Sequence, residues 1–228
     1  MYSKKSSLHT QLTVRSTIFI LSFYVLLLLP AKNIFFQTNP WIYGYTDIVY
    51  FLVIILLFLY LHNTKILGFS VKNLKKNLIV GSLSGGVVII SPFLLELGIN
   101  STGMSNLDLL QAQAKIDILL EKRSIIVYAS IVLMVPLIEQ VFFTGIIFQS
   151  LLKNINPVLA IYASGVIYSL AGFKLSLGAF VIGVITAILF KVTKTLYASI
   201  IFHSCCVIGG IIINTIYPRL STLISFIL

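Results

Sequence analysis

Long apolar runs recur from one end of this chain to the other, and they restrict its fold more than any other feature. Seven runs are clear, at about 16–36, 46–62, 77–98, 124–152, 157–173, 175–192 and 195–217. A run of about 20 residues is long enough to cross a bilayer as a helix. A short tail, 219–228, could form an eighth element of about half that length. The sequence therefore predicts an all-α, polytopic membrane bundle with about seven to eight transmembrane helices.

Composition agrees with a membrane protein and excludes other classes. Only 10% of the 228 residues are charged, whereas soluble domains carry roughly 25%. Most of the 16 Lys and Arg residues lie in short loops between the apolar runs, and no basic stretch is interleaved with stacking aromatic residues. Nucleic acid is therefore not an expected partner. The adjacent Cys205 and Cys206 offer neither a disulfide framework nor metal-ligand spacing.

The loop charges predict how the chain is oriented in the membrane. If the N-terminus is inside, ten basic residues fall on the inner side, namely Lys4, Lys5, Arg15, Lys65, Lys72, Lys75, Lys76, Lys153, Lys191 and Lys194. The other six fall on the outer side, namely Lys32, Lys115, Lys122, Arg123, Lys174 and Arg219. Because cytoplasmic loops are enriched in positive charge, this bias predicts a multi-pass cell-membrane protein with a cytoplasmic N-terminus. The basic start resembles a signal peptide, but no small-x-small cleavage site follows, which predicts an uncleaved first helix.

The longest connection, from Asn100 to Arg123, has a helical pattern of its own. Apolar residues recur at helical spacing, with polar and charged residues between them. The pattern predicts either an amphipathic helix in the outer interface or a solvated loop helix.

One acidic residue lies deep in the predicted bundle. Five of the six acids fall on or near the outer side, but Glu139 is in the middle of the fourth run, in Pro-Leu-Ile-Glu-Gln-Val-Phe-Phe-Thr-Gly at 136–145. An ionised side chain costs several kcal/mol in a bilayer core, so such residues usually have a function or a partner. Glu139 is therefore the first candidate for a functional residue.

The surroundings of Glu139 resemble the first motif of the CPBP family, the CAAX-protease and bacteriocin-processing membrane proteins. That motif is usually Glu-Glu, three residues, then Arg-Gly. Downstream, Val-Ile-Tyr-Ser-Leu-Ala-Gly-Phe is similar to the family's second motif, with Tyr168 in its aromatic position. Leu-Tyr-Ala-Ser-Ile-Ile-Phe-His-Ser-Cys-Cys-Val is similar to the third, with His203 in its histidine position. The resemblance implies a CPBP-like core at 125–228, preceded at 1–124 by N-terminal transmembrane helices and an outer loop.

Four positions depart from the family's motifs. Gln140 stands where the second glutamate is usual, Thr144 replaces the arginine, Gly172 replaces the second motif's histidine, and Val207 replaces the third motif's polar residue. In the family, a glutamate and a histidine are thought to activate a water that attacks a peptide carbonyl. Glu139 and His203 are the remaining equivalents of that catalytic set. Because groups that act as a unit do not compensate for one another, these losses predict an inactive or strongly reduced peptidase site.

Glu139 and His203 are expected to sit near mid-depth on different helices and to pair. Gln140, Thr144, Ser169 and Ser204 could complete a small polar cluster around them. This cluster is either an inherited structural pairing or a functional polar pocket. No cofactor is expected, and one His with one Glu leaves a zinc site two protein ligands short, so no metal is expected either.

Three functional classes stay open. The favoured one is a pseudoenzyme that binds a membrane protein or peptide partner within the lipid bilayer, in bacteriocin immunity or a regulatory role. The second is an active intramembrane endopeptidase that processes a peptide or CAAX-like substrate with a reduced Glu/His site. The third is a small transporter or proton path, although the chain lacks the paired broken helices typical of transporters.

Overall fold

The computed structural model describes residues 14–61, 67–71, 73–101, 125–171, 176–217 and 220, and every regular element within them is helical. Helix α1 is continuous through Val14–Phe23, Tyr24–Leu28 and Leu29–Phe35, and α4 through Ile125–Ala129, Ser130–Met134, Val135–Gln140, Val141–Phe148 and Gln149–Asn154. The others are α2 (Pro40–Leu61), α3 (Leu74–Ser101), α5 (Pro157–Ala171), α6 (Leu177–Thr193) and α7 (Leu196–Ile216).

These seven helices correspond to the seven predicted runs. In the described part of the chain, α1, α2, α3, α4 and α7 are long and apolar enough to cross a membrane, while α5 and α6 are shorter apolar helices. The prediction of an all-α membrane bundle is thus confirmed. Helix α2 begins at Pro40, before the predicted run that starts at about 46. Helical hydrogen bonds continue through this aromatic stretch, where the Tyr43 amide donates to the Asn39 carbonyl at 2.9 Å. The predicted helix between 102 and 123 and nearly all of the tail lie outside the described residues.

Two of the helices widen just before a proline. Tyr24–Leu28 precedes Pro30 in α1, and Ser130–Met134 precedes Pro136 in α4, and both stretches have π-helical turns. Proline has no N–H for the helical ladder, and its ring clashes with the carbonyl four residues earlier. A wider turn relieves that clash without ending the helix. A third wide stretch, Val141–Phe148, directly follows Glu139 and Gln140, with no proline in it.

The centre of the bundle is α4. Every residue from Gln140 to Phe148 is buried. Aromatic rings join this stretch to the first two helices: the Phe51 and Phe142 ring centroids are 4.4 Å apart, and those of Phe51 and Tyr24 are 5.2 Å apart. Such ring pairs add stabilisation beyond the area that they bury. Helices α1 and α2 are therefore anchored to α4 through aromatic contacts.

Helix α3 is attached differently, by close backbone approach to α7. A Cβ atom on Gly85 would lie 2.5 Å from the Sγ atom of Cys205, so only glycine fits there. Pro92 lies inside α3, and the Ser91 hydroxyl donates to the Val88 carbonyl at 2.8 Å near that interruption. Small residues at such contacts let helices pack closely in lipid. The α3–α7 pair thus forms the flank of the bundle, and α7 carries His203.

Candidate functional site

Three helices bring a carboxylate, a phenol and an imidazole together. The Tyr168 hydroxyl on α5 donates to Glu139 Oε2 on α4 at 2.5 Å. The same hydroxyl oxygen is 3.2 Å from His203 Nε2 on α7. His203 Nε2 and Glu139 Oε2 are themselves 3.7 Å apart. The phenol oxygen therefore lies within hydrogen-bond distance of both groups at once.

The other imidazole nitrogen faces α4. Gln140 Nε2 is 3.2 Å from His203 Nδ1, and the Thr144 hydroxyl donates to Gln140 Oε1 at 2.7 Å. Gln140 and Thr144 are fully buried. Because one helical turn separates them, both project from the same face of α4 toward α7.

The hydrogen bonds of the five side chains determine which imidazole nitrogen carries the hydrogen. If Tyr168 gives its only hydrogen to Glu139, its oxygen must accept from His203 Nε2. His203 Nδ1 is then free to accept from the Gln140 amide, whose oxygen accepts from Thr144. This tautomer follows from the network and satisfies every bond. The donors all point one way, from Thr144 through Gln140, His203 and Tyr168 to Glu139.

Close packing holds Tyr168 in this position. A Cβ on Gly183 of α6 would lie 2.8 Å from the Tyr168 Cβ and 2.9 Å from the Gly165 Cα, so α6 approaches α5 where only hydrogen fits. On its other side, the Tyr168 ring meets the Phe143 ring edge-on, with centroids 4.9 Å apart. These contacts leave the phenol little freedom to move away from Glu139 and His203.

The site is more open at Glu139 than at His203. The Glu139 side chain is 23% exposed and that of His203 is 7% exposed. Nearby, the Tyr24 hydroxyl of α1 donates to the Ala171 carbonyl at the end of α5, at 2.8 Å. An apolar cavity of about 290 Å³ lies between α1 and α5, lined in part by Tyr24, Phe143 and Ala171. A ligand that reaches the site would therefore meet the carboxylate before the imidazole.

A charged pair lies near the junction of α1 and α2. Lys32 Nζ contacts Asp47 Oδ2, and the same nitrogen lies 4.2 Å from the centroid of the Tyr43 ring. Lys32 is buried, and pairing offsets part of the cost of removing its charge from water. Both charges were predicted to lie on the outer side, but a contact between them was not predicted. The signal for it was a pair of opposite charges at the facing ends of two consecutive helices.

The other predicted site residues fall outside this cluster. Gly172 lies outside the described residues. Val207 is half-buried one turn beyond His203 on α7 and has no polar group. The expected roles of Ser169 and Ser204 were wrong: Ser169 donates to the Val166 carbonyl within its own helix, and Ser204 makes no hydrogen bond to the five described side chains.

Sequence reasoning missed the central group. Tyr168 was recognised only as the aromatic residue of the second motif, while its hydroxyl bridges the two remaining catalytic equivalents. The signal in the sequence was the hydroxyl of Tyr168 itself, because a phenylalanine would have been enough to supply an aromatic ring at this position. Within the described ranges, no group of three His, Cys, Asp or Glu side chains lies close enough together to hold a metal ion.

The comparisons with known proteins agree with the motif-based resemblance. The family model of Rce1-like type II CAAX prenyl endopeptidases matches residues 121–209. The matched segment includes α4 to α6 and the part of α7 that carries His203. Neither the curated proteins nor the solved structures gave a match. Residues 121–209 of this chain are therefore similar to the Rce1-like CAAX prenyl endopeptidases of the CPBP family.

Proposed function

We propose that this chain is a pseudoenzyme of its family, which acts by binding a membrane protein or a peptide rather than by cutting one. Bacteriocin self-immunity or regulation of a membrane partner would suit such a protein. Neither role needs proton transfer at Glu139. Both need a folded bundle with a stable site, and the described hydrogen bonds supply that stability.

The position of the Tyr168 hydroxyl carries this proposal. A general base must lie within about 2.6–3.2 Å of the water that it activates. The Tyr168 oxygen already lies 2.5 Å from Glu139 Oε2 and 3.2 Å from His203 Nε2. A water bound between the carboxylate and the imidazole would need the same space. In this arrangement the protein's own phenol takes the place of a nucleophilic water.

Gln140 adds a second reason. An amide can donate to His203 Nδ1 and accept from Thr144, as Gln140 does, but it does not take up a proton near neutral pH. Both partners of Gln140 are satisfied by neutral hydrogen bonds. The amide therefore suits a structural network better than a relay for acid–base catalysis.

The proposal is tested with full-length protein in liposomes and a farnesylated CAAX peptide as the probe. We expect no cleavage by the wild type above the level of a Glu139→Gln variant. In cells, Glu139→Gln should keep any partner-dependent phenotype, because an amide still pairs with Tyr168. Glu139→Leu should do worse, since it leaves buried polar groups unpaired at a cost of about 1–3 kcal/mol. Cleavage that disappears in Glu139→Gln would overturn the proposal.

A reduced-site endopeptidase is the second candidate, and one observation favours it. Glu139 and His203 approach to 3.7 Å, and the Glu139 side chain is partly exposed. If a substrate displaced the Tyr168 hydroxyl, a water could enter between them. The liposome assay separates the two candidates, because only the endopeptidase predicts Glu139-dependent product.

We also propose that the N-terminus faces the cytoplasm of the cell membrane, as the loop charges predict. A cysteine introduced at Ser105 should then react with a membrane-impermeant maleimide added from outside intact cells. A cysteine at Lys65 should react only after the cells are opened. The reverse pattern would invert the proposed topology.

A further inference from the structure

Six basic residues converge at one end of the described bundle, which we name the basic end. They are Arg15, Lys75, Lys76, Lys153, Lys191 and Lys194. The Thr17 hydroxyl donates to the Ser150 hydroxyl at 2.8 Å, which joins the start of α1 to the end of α4. A Cβ on Gly81 would lie 2.9 Å from the Ala198 Cα, which joins the start of α3 to the start of α7.

Among the residues that the structure describes, no acidic side chain lies at the basic end. The six acids of the chain are Asp47, Glu96, Asp108, Asp117, Glu121 and Glu139. Asp47 pairs with Lys32 near the start of α2, Glu96 is near the far end of α3, and Glu139 is in the site. The other three belong to the connection between the far end of α3 and the start of α4. The described part of the chain therefore supplies no counter-charge for the basic end.

Two of the lysines are placed where their own helix disfavours them. Lys75 and Lys76 are exposed in the first turn of α3, which has no acidic residue. The first turn of a helix carries partial positive charge, so it stabilises anions and disfavours cations. Lys153 and Lys191 lie in the last turns of α4 and α6, where the helix dipole stabilises them. Among the described lysines of the basic end, Lys75 and Lys76 combine exposure with an electropositive helix end, as Arg15 does in the first turn of α1.

We propose that the basic end binds the headgroups of anionic phospholipids, with Lys75 and Lys76 on α3 as its principal contacts. This binding does not depend on the proposed function or on which leaflet the basic end faces. The lysines sit at the end of a 28-residue apolar helix, long enough to place them beyond the hydrocarbon core. A membrane surface is therefore the nearest source of fixed negative charge, and basic residues near such a surface strengthen binding cumulatively.

The test compares two charge-matched double variants of the full-length protein. One is Lys75→Gln with Lys76→Gln, and the control is Lys153→Gln with Lys191→Gln. Each protein is purified in micelles that contain phosphatidylcholine and phosphatidylglycerol, and retained lipids are counted by native mass spectrometry. We expect the wild type and the control to retain phosphatidylglycerol preferentially. The α3 variant should lose this preference at least about fivefold.

Two further measurements identify which negatively charged ligand the basic end binds. Inorganic phosphate at millimolar concentration should not displace the lipid, and a DNA oligonucleotide should not bind in phosphatidylcholine micelles. Circular dichroism establishes that each variant keeps its helices. Unchanged lipid preference in the α3 variant would overturn the proposal, as would an equal loss in the control. Binding of the oligonucleotide through the same lysines would also overturn it, in favour of a nucleic-acid surface.

Discussion

Helices α3 and α4 have apolar stretches of equal length and hydropathy, yet these stretches lie in opposite environments. Each has 28 residues in its membrane-spanning stretch and a hydropathy of 2.2, but 61% of the most apolar part of α4 is buried against 17% for α3. The buried residues of α3 are only Asn77, Gly81, Gly85 and Pro92. Hydropathy thus locates a helix in the membrane, while side-chain size and polarity determine whether protein or lipid surrounds it.

The largest expected effect comes from removing a ring at the centre of α4. Phe142→Ala should lower the free energy of unfolding by about 3–5 kcal/mol, because it leaves a cavity among aromatic rings. Phe142 is fully buried, whereas Phe93 on α3 is 53% exposed. Phe93→Ala is therefore the matched control and should change little. Unfolding in mixed micelles measures both, and equal losses would contradict the contrast between α3 and α4.

A smaller effect is expected where α3 meets α7. Gly85→Leu should destabilise the protein by about 1–3 kcal/mol, since the new side chain overlaps Cys205 and must push the helices apart. Gly86→Leu is the control, because no atom lies within 4 Å of the position where its Cβ would be. Thermal unfolding in detergent compares the two variants. If Gly86→Leu were as harmful as Gly85→Leu, the described packing of α3 on α7 would be wrong.

The smallest of the three effects concerns the site. Tyr168→Phe should cost about 1–2 kcal/mol, because Glu139 and His203 lose a shared hydrogen-bonding partner. Tyr162→Phe, on the same helix, is the control, since Tyr162 is 56% exposed and its side chain faces outward. Unfolding in mixed micelles gives the stability of each variant. Equal stability of Tyr168→Phe and Tyr162→Phe would show that the buried phenol does not support the site.

The fold was largely predictable because each membrane helix appears in the sequence as a continuous apolar run. Bilayer thickness sets the length of an apolar run, so the seven runs matched the seven helices of the described chain. Helix ends were less predictable: α2 begins at Pro40, whereas its predicted run begins at about 46. Which helices pack against each other was also hard to predict, since lipid-facing and protein-facing surfaces are both apolar. Nothing in the hydropathy of α3 and α4 distinguishes their burial.

The candidate site was predictable only in part. Motif order and spacing located Glu139 and His203, which the structure places 3.7 Å apart. The bridge through Tyr168 depends on how closely α5 approaches α6, and that distance is set by Gly165 and Gly183. Such a three-helix arrangement has no local signature in the sequence. The same reason explains why Ser169 was wrongly expected in the cluster, since its hydroxyl had a closer acceptor within its own helix.

The one-way order of hydrogen bonds from Thr144 to Glu139 has a consequence for how the site can change. Were Glu139 to hold a proton and donate it to Tyr168, the phenol would have to donate to His203 Nε2 in turn. The imidazole hydrogen would then sit on Nδ1, where the Gln140 amide now donates, and that amide would have to turn over toward Thr144. The hydrogen bonds between these five side chains can therefore reverse their direction only together. A single proton at Glu139 would thus change hydrogen bonds on three helices at once.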